Sequence, residues 1–303
     1  MSVATTEQSG LPHTIFLRRL AGESSASSVT ARLSQGAFMA LRLVDLVEDG
    51  QPAYAAAFHY QHAATERFCR ELPPDRTETA HLVGLTRSAA DAFQGQDVRL
   101  VLPALLAYAH HLEDEMLLDE ARDVLDTATR VAGDRLCAAD AIAVRLRAAR
   151  VLRKLSAFDD ADRLYDEAGA LATGAGDTRS ELVSQLGRGY TLLGRGNLAD
   201  AETRIRETLR AAETAGDRHG LALTHQVLGI VLSTGGRPAE AIPHTWRAFE
   251  LYEDEPSRTR VLADLGVMLL AVGDPDGAER ALVEVIRLGS FQDVIQNVLI
   301  ELM

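Results

Sequence analysis

LGIVLSTGGRPAEA runs from Leu228 to Ala241, and LGVMLLAVGDPDGA runs from Leu265 to Ala278, 37 residues later. Six of the fourteen positions are identical in the same order: Leu, Gly, Leu, Gly, Pro and Ala. Counting back from Ala241 in steps of 40 gives Ala201 in LLGRGNLADAETRI, Ala161 in LRKLSAFDDADRLY and Ala121 in LEDEMLLDEARDVL. Gly196, Gly236 and Gly273 stand five before their alanines, and Gly189, Gly229 and Gly266 stand twelve before. The triplet AGD also recurs, at 132–134, 175–177 and 215–217. A skeleton written five times reads as five copies of one supersecondary unit.

One unit reads as two antiparallel helices. Leu221, Leu223, Val227, Leu228, Val231 and Leu232 keep three- and four-residue apolar steps, which predicts a helix over about 219–234. Gly235-Gly236-Arg237 forms the turn, and Pro238 opens the second helix, where its missing N–H costs nothing. In the last unit Asp274 is the expected N-cap and Pro275 the first helical residue. The glycine of AGD suits the left-handed position that ends a helix. Small residues such as Gly229 and Ala241 let two helix backbones approach closely. One such pair cannot bury its own apolar face, so copies stack.

This skeleton resembles the tetratricopeptide repeat (TPR) family, through Leu228, Gly229, Leu232, Gly236 and Ala241, and again through Leu265, Gly266, Leu269, Gly273 and Ala278. The third unit keeps Gly189, Leu192, Gly196 and Ala201 but has Arg188 where leucine is expected. The second keeps Leu152, Phe158, Ala161 and Ala168 with Ala149 in the small position, and the first is the most divergent, with Ala109 and Ala121. The aromatic expected near the start of the first helix is absent throughout. The period exceeds the family's usual spacing, as in long-period repeats of bacterial regulatory and signalling proteins. The resemblance implies an all-α solenoid of five TPR-like repeats over 98–288.

The chain has 303 residues, 47% hydrophobic and 25% charged, ample for a sizeable core. Its aromatic content of 5% and its abundance of alanine and leucine lean helical. A formal charge of −13 argues against a general nucleic-acid binder, which needs a basic surface. Nothing reads as a signal peptide or a membrane span, so a cytoplasmic location is expected. Cys69 and Cys137 sit in helical stretches and read as buried small apolar residues. Residues 1–26 read as a flexible tail. Helices are expected at 27–49, 52–72 and 76–94, broken at Pro52 and at Pro73-Pro74. Two readings of 27–97 stand side by side: an N-terminal helical bundle, or a degenerate repeat with a cap. The layout of a small bundle before such repeats is similar to that of peptide-sensing bacterial regulators, without a helix-turn-helix signature. Residues 289–303, which include SFQDVIQNVLIELM, form an apolar helix where a polar cap is expected. It reads either as a cap or as the start of a truncated repeat, and as a candidate homo-oligomer contact.

No constellation for catalysis, metal binding or a cofactor stands out. His59 and His62 share a helix face but lack a third ligand, His110 and His111 point to different faces, and Trp246 reads as packing. The glycine-rich stretches lie between helices rather than after strands. One cluster departs from the acidic background: Arg145, Arg147, Arg150, Arg153 and Lys154 in AVRLRAARVLRK. In TPR solenoids the first helices line the concave face, and positions one and four after the small residue face it. These are His110 and Glu113, Arg150 and Arg153, Tyr190 and Leu193, Ile230 and Ser233, and Val267 and Leu270. The peptide-binding groove is therefore expected at His110, Arg150, Arg153, Tyr190 and Ile230. Its ligand is a protein or peptide segment, with a carboxylate held by the planar fork of arginine. The competing reading of the arginines is a solvated face balanced by neighbouring acids. The expected function is a non-enzymatic interaction module in bacterial regulation or signalling. A scaffold that oligomerises through 289–303 competes with it, as does a small-molecule sensor or enzyme in the N-terminal helices.

Overall fold

The computed structural model describes residues 11–48, 55–133 and 137–288. They hold fourteen α-helices, one short 3₁₀ turn at Val98–Val101 and no strand. None of these helices is long and apolar enough to cross a membrane. The residues 289–303 expected as an apolar cap or oligomer contact lie outside the described residues.

The chain divides into two compact units, with the boundary between Leu155 and Ser156. In the first unit, α1 (Thr14–Ala21), α2 (Val29–Glu48), α3 (Ala55–Arg70) and α4 (Thr77–Gly95) precede α5 (Leu102–Asp114), α6 (Leu118–Ala132) and α7 (Ala138–Lys154). Helix α6 shows why these segments fold. Ala121, Val124, Leu125, Ala128, Val131 and Ala132 recur at three- and four-residue steps and are all buried. Each Val or Leu buried in this way contributes roughly 1.5–3 kcal/mol. Asp119 and Glu120 in the first turn and Arg130 in the last complement the helix dipole. One continuous core runs from Phe16 through Leu41, Leu85 and Tyr108 to Val144 and Val151. The expected boundary at 97/98 therefore coincides with no break in packing.

The tail expected over 1–26 is likewise corrected for Thr14–Ala21. Phe16 of α1 is fully buried and stacks on Tyr108, with ring centroids 6.4 Å apart. Arg19 donates two hydrogen bonds to Glu78, at 3.1 and 3.3 Å, and the buried Tyr108 hydroxyl donates to the same carboxylate at 2.8 Å. Just before the helix, His13 is 2% exposed, with Nδ1 2.5 Å from Asp123 and Nε2 3.2 Å from Asp45. Burial alone would drive the proton off this imidazole. The hydrogen bonds and charges of Asp123 and Asp45 outweigh burial and lift the pKa to about 8 from its ordinary 6.5. The stabilisation is complete below pH 6.5 and is lost as pH rises through 8. Thermal melting between pH 6 and 9 is expected to show this decline, and His13→Ala to flatten it.

The second unit stacks α8 (Phe158–Ala175), α9 (Thr178–Gly194), α10 (Leu198–Ala215), α11 (Arg218–Thr234), α12 (Pro238–Leu251), α13 (Glu255–Ala271) and α14 (Pro275–Leu288), each against its neighbours in sequence. Pro238 and Pro275 open their helices as the sequence implies. Asp177, Asp217, Asp254 and Asp274 cap theirs by accepting backbone N–H bonds at 2.8–3.1 Å. Ala201, Ala241 and Ala278 are fully buried here, as is Ala121 in the first unit. Small positions allow the close crossings: a Cβ on Gly189 would meet Ile205 at 2.3 Å, and one on Gly266 would meet Leu282 at 2.6 Å.

The turns inside the helix pairs share one device. Gly196, Gly236 and Gly273 have φ of 75–80°, and Met116 occupies the matching place at 58°. The next residue's N–H closes the turn onto a leucine carbonyl: Leu117 to Leu112, Asn197 to Leu192, Arg237 to Leu232 and Asp274 to Leu269. The left-handed backbone is costly for methionine and free for glycine. Met116 is also 63% exposed, so it has little packing to lose. Met116→Gly is expected to stabilise the first unit by about 0.5–1 kcal/mol, read as a rise in chemical-denaturation midpoint.

Candidate peptide-binding faces

In the first unit the arginine cluster lies on α7, packed against α5. Residues 147, 150 and 154 follow i, i+3, i+7 and so share one face. All three reach one carboxylate. Arg147 Nη1 donates to Glu113 Oε2 at 3.0 Å, Arg150 Nε to Oε1 at 2.5 Å and Lys154 Nζ to Oε1 at 2.9 Å. The Glu113 side chain is completely buried. Burial pushes its pKa up, but Arg150, Lys154 and Arg147 together outweigh that and hold it at about 2. Arg147 also donates to His110 Nδ1 at 3.2 Å, and the same nitrogen lies 3.3 Å from Asp114.

These contacts correct the placement of Glu113, expected on an open groove face. Three cations draw it inside, because a buried carboxylate needs partners. Glu113 and Asp114 set two negative charges against three positive ones, which leaves the face with a surplus of one. Arg150 remains half-exposed, and Arg153 is half-buried further along the same helix. Of the expected groove residues, the structure thus brings His110 and Arg150 together through Arg147 and Glu113.

The second unit carries Tyr190 on α9 and Ile230 on α11, both half-buried. Beside them lies a polar chain that local sequence patterns do not reveal. Tyr252 Oη donates to Gln226 Oε1 at 2.9 Å, and Gln226 Nε2 donates to Asp264 Oδ2 at 3.1 Å. Gln226 and Tyr252 are buried, whereas Asp264 is half-buried. Burial raises the Asp264 pKa to about 6, offset only in part by Gln226 and Arg260. Burial, with a smaller contribution from Tyr190, raises Tyr252 as well. The one available signal was positional: Gln226 and Asp264 stand three and two residues before the small positions Gly229 and Gly266. Val267 and Leu270, expected on the same side, are 41% and 38% exposed.

Other expectations resolve simply. His59 and His62 pack around Phe58 and Phe93, and no group of three His, Cys, Asp or Glu among the described residues can hold a metal. Cys69 is buried, but Cys137 is exposed at the start of α7, because a residue outside the first turn has no helix face to bury. Trp246, expected as packing, is 44% exposed and touches Phe249 edge-on, with ring centroids 5.6 Å apart.

No family model and no curated protein sequence matches the chain. Solved structures do match in fold. The Rap conjugation gene regulator of plasmid pLS20, in complex with the Phr* peptide, has a TM-score of 0.60 at 12% identity, over 84% of this chain and 74% of that one. A Rap protein complexed with Competence and Sporulation Factor gives 0.58 at 12% identity, over 90% and 80%. BtubC from P. vanneervenii gives 0.54 at 15% identity, over 71% and 91%. The chain has the tetratricopeptide-repeat fold. Helices α5, α7, α9, α11 and α13 carry the charged and apolar groups of these faces, and Tyr252 stands at the end of α12.

Proposed function

We propose that this TPR protein is a non-catalytic interaction module that holds a peptide or helical segment of a partner protein in a regulatory or signalling role. The observation that carries the reading is the surplus of positive charge around Glu113, on a chain whose formal charge is −13. An acidic segment would be repelled elsewhere and drawn here, where Arg150 and Arg153 offer planar forks for a carboxylate. In the second unit Tyr190 and Ile230 offer apolar contact beside polar groups, the mix that peptide recognition uses. Similar structures captured with Phr* and with Competence and Sporulation Factor support the same reading.

The test uses a partner captured from the native host, its contacting segment synthesised as a peptide. Arg150 also neutralises Glu113, so reversing its charge would lower stability by itself. Arg150→Gln combined with Arg153→Glu avoids most of that. The pair is expected to weaken binding at least tenfold and to flatten its salt dependence. Unchanged affinity and salt dependence in the folded variant would remove these arginines from the binding surface.

A further inference from the structure

The second unit's polar chain has a direction. Gln226 could be turned over, but its carbonyl would then face the Asp264 carboxylate, acceptor against acceptor. The amide is therefore fixed with its NH₂ toward Asp264, and its carbonyl must accept from Tyr252. Each donor points the same way, and Asp264 is the terminus. A carboxylate offers about four lone-pair positions. Gln226 fills one, and among the described residues no other donor hydrogen-bonds to Asp264. Arg260, one turn earlier on α13, acts on it through its charge without a hydrogen bond.

We infer that Asp264 is the acceptor for a cationic side chain, arginine or lysine, carried on a segment bound to the second unit. Ile230 follows Gln226 by four residues and Val267 follows Asp264 by three, so both aliphatic groups stand one turn along from the hydrogen-bonded pair. That order suits a long cationic side chain, whose apolar stem lies on aliphatic surface while its head reaches a carboxylate. The elevated Asp264 pKa fits the geometry, because an ionised carboxylate short of partners burdens the free protein and a bound cation relieves it. The inference rests on the binding-module reading and adds the charge of one ligand residue.

The probe is a set of three tripeptides, acetyl-Leu-X-Leu-amide, with X arginine, citrulline or glutamate, titrated into the full chain by NMR. Citrulline keeps the shape of arginine, its Nε–H and one NH₂, but a carbonyl oxygen replaces the other nitrogen and the charge is gone. The arginyl peptide is expected to shift the Gln226 side-chain NH₂ saturably and to bind at least tenfold tighter than the citrullyl one. It is also expected to pull the Asp264 titration midpoint below its free value of about 6. Asp264→Asn keeps the bond from Gln226, so it should fold, melt higher than wild type at pH 7 and lose the preference for arginine. Equal affinity for arginine and citrulline overturns the inference, as does an absence of saturable shifts at Gln226. If the glutamyl peptide moves α7 resonances while Gln226 stays still, this inference fails and the binding-module reading stands. If no peptide shifts either unit, both lose their support.

Discussion

Glu113→Ala is expected to cost the first unit about 3 kcal/mol, since removing one partner of a buried ion pair strands the others. The fully buried case would cost more, but Arg147, Arg150 and Lys154 are between a quarter and a half exposed, so water recovers part of their solvation. Glu113→Gln keeps the shape and one acceptor oxygen while losing the charge and turning the other oxygen into a donor, and should fall between alanine and wild type. The pH dependence provides a separate check. The folded pKa of about 2 lies below the ordinary 4.5, so the stabilisation is present above pH 4.5 and is lost as pH falls toward 2. Denaturant titrations from pH 2 to 7 should therefore show an acid limb that is steeper in wild type than in either variant, the remainder coming from other carboxylates held low in the fold, such as Asp45. A Glu113→Ala protein as stable as wild type at pH 7 would mean that the three cations are fully solvated.

Gly229→Leu is expected to cost about 3 kcal/mol in the second unit, at the upper end of the usual overpacking range. Two effects oppose each other here. A non-glycine residue in a helix interior gains up to about 1 kcal/mol of propensity. Against that, a Cβ at this position would lie 2.4 Å from Thr245 Oγ1, and 3.5 Å from the Ala241 carbonyl oxygen. Thr245 is almost fully buried, and its hydroxyl lies 3.2 Å from both the Ala241 carbonyl and Met268 sulfur, so moving it disturbs two further contacts. Gly229→Ala brings the same Cβ without the rest of the leucine side chain, so it should lose less than leucine. Melting curves for alanine and leucine that both overlay wild type would show that α11 and α12 do not cross at this glycine.

The small positions, helix-opening prolines and capping aspartates were legible because local chemistry decides them. Pro238 sits where its missing N–H costs nothing, and Asp274 reaches an N–H three residues away. Helix α1 was not, because what orders it lies far along the chain: His13 needs Asp45 and Asp123, and Phe16 needs Tyr108. Glu113 sits at a register position that reads as exposed. Only α7, folding back against α5, turns it inward. For the candidate faces, the sequence supplied the arginine cluster, Tyr190 and Ile230. It could not supply Gln226, Tyr252 and Asp264, three polar residues from three elements with no common spacing.

The bond between His13 and Asp123 joins residues 110 apart in sequence, whereas the second unit is built almost wholly from helices touching their sequence neighbours. The two arrangements call for different folding kinetics. Neighbour contacts close short loops, so the second unit can grow pair by pair from any nucleus, at the fast end of the range for its size. In the first unit a loop spanning most of its length must close before the imidazole reaches its carboxylates, and the entropy of that closure is offset only once α2 and α6 are already in place. The clamp is therefore expected to form after the rate-limiting step. His13→Ala should leave the refolding rate nearly unchanged and speed unfolding, which makes the N-terminal helix a determinant of how long the first unit stays folded.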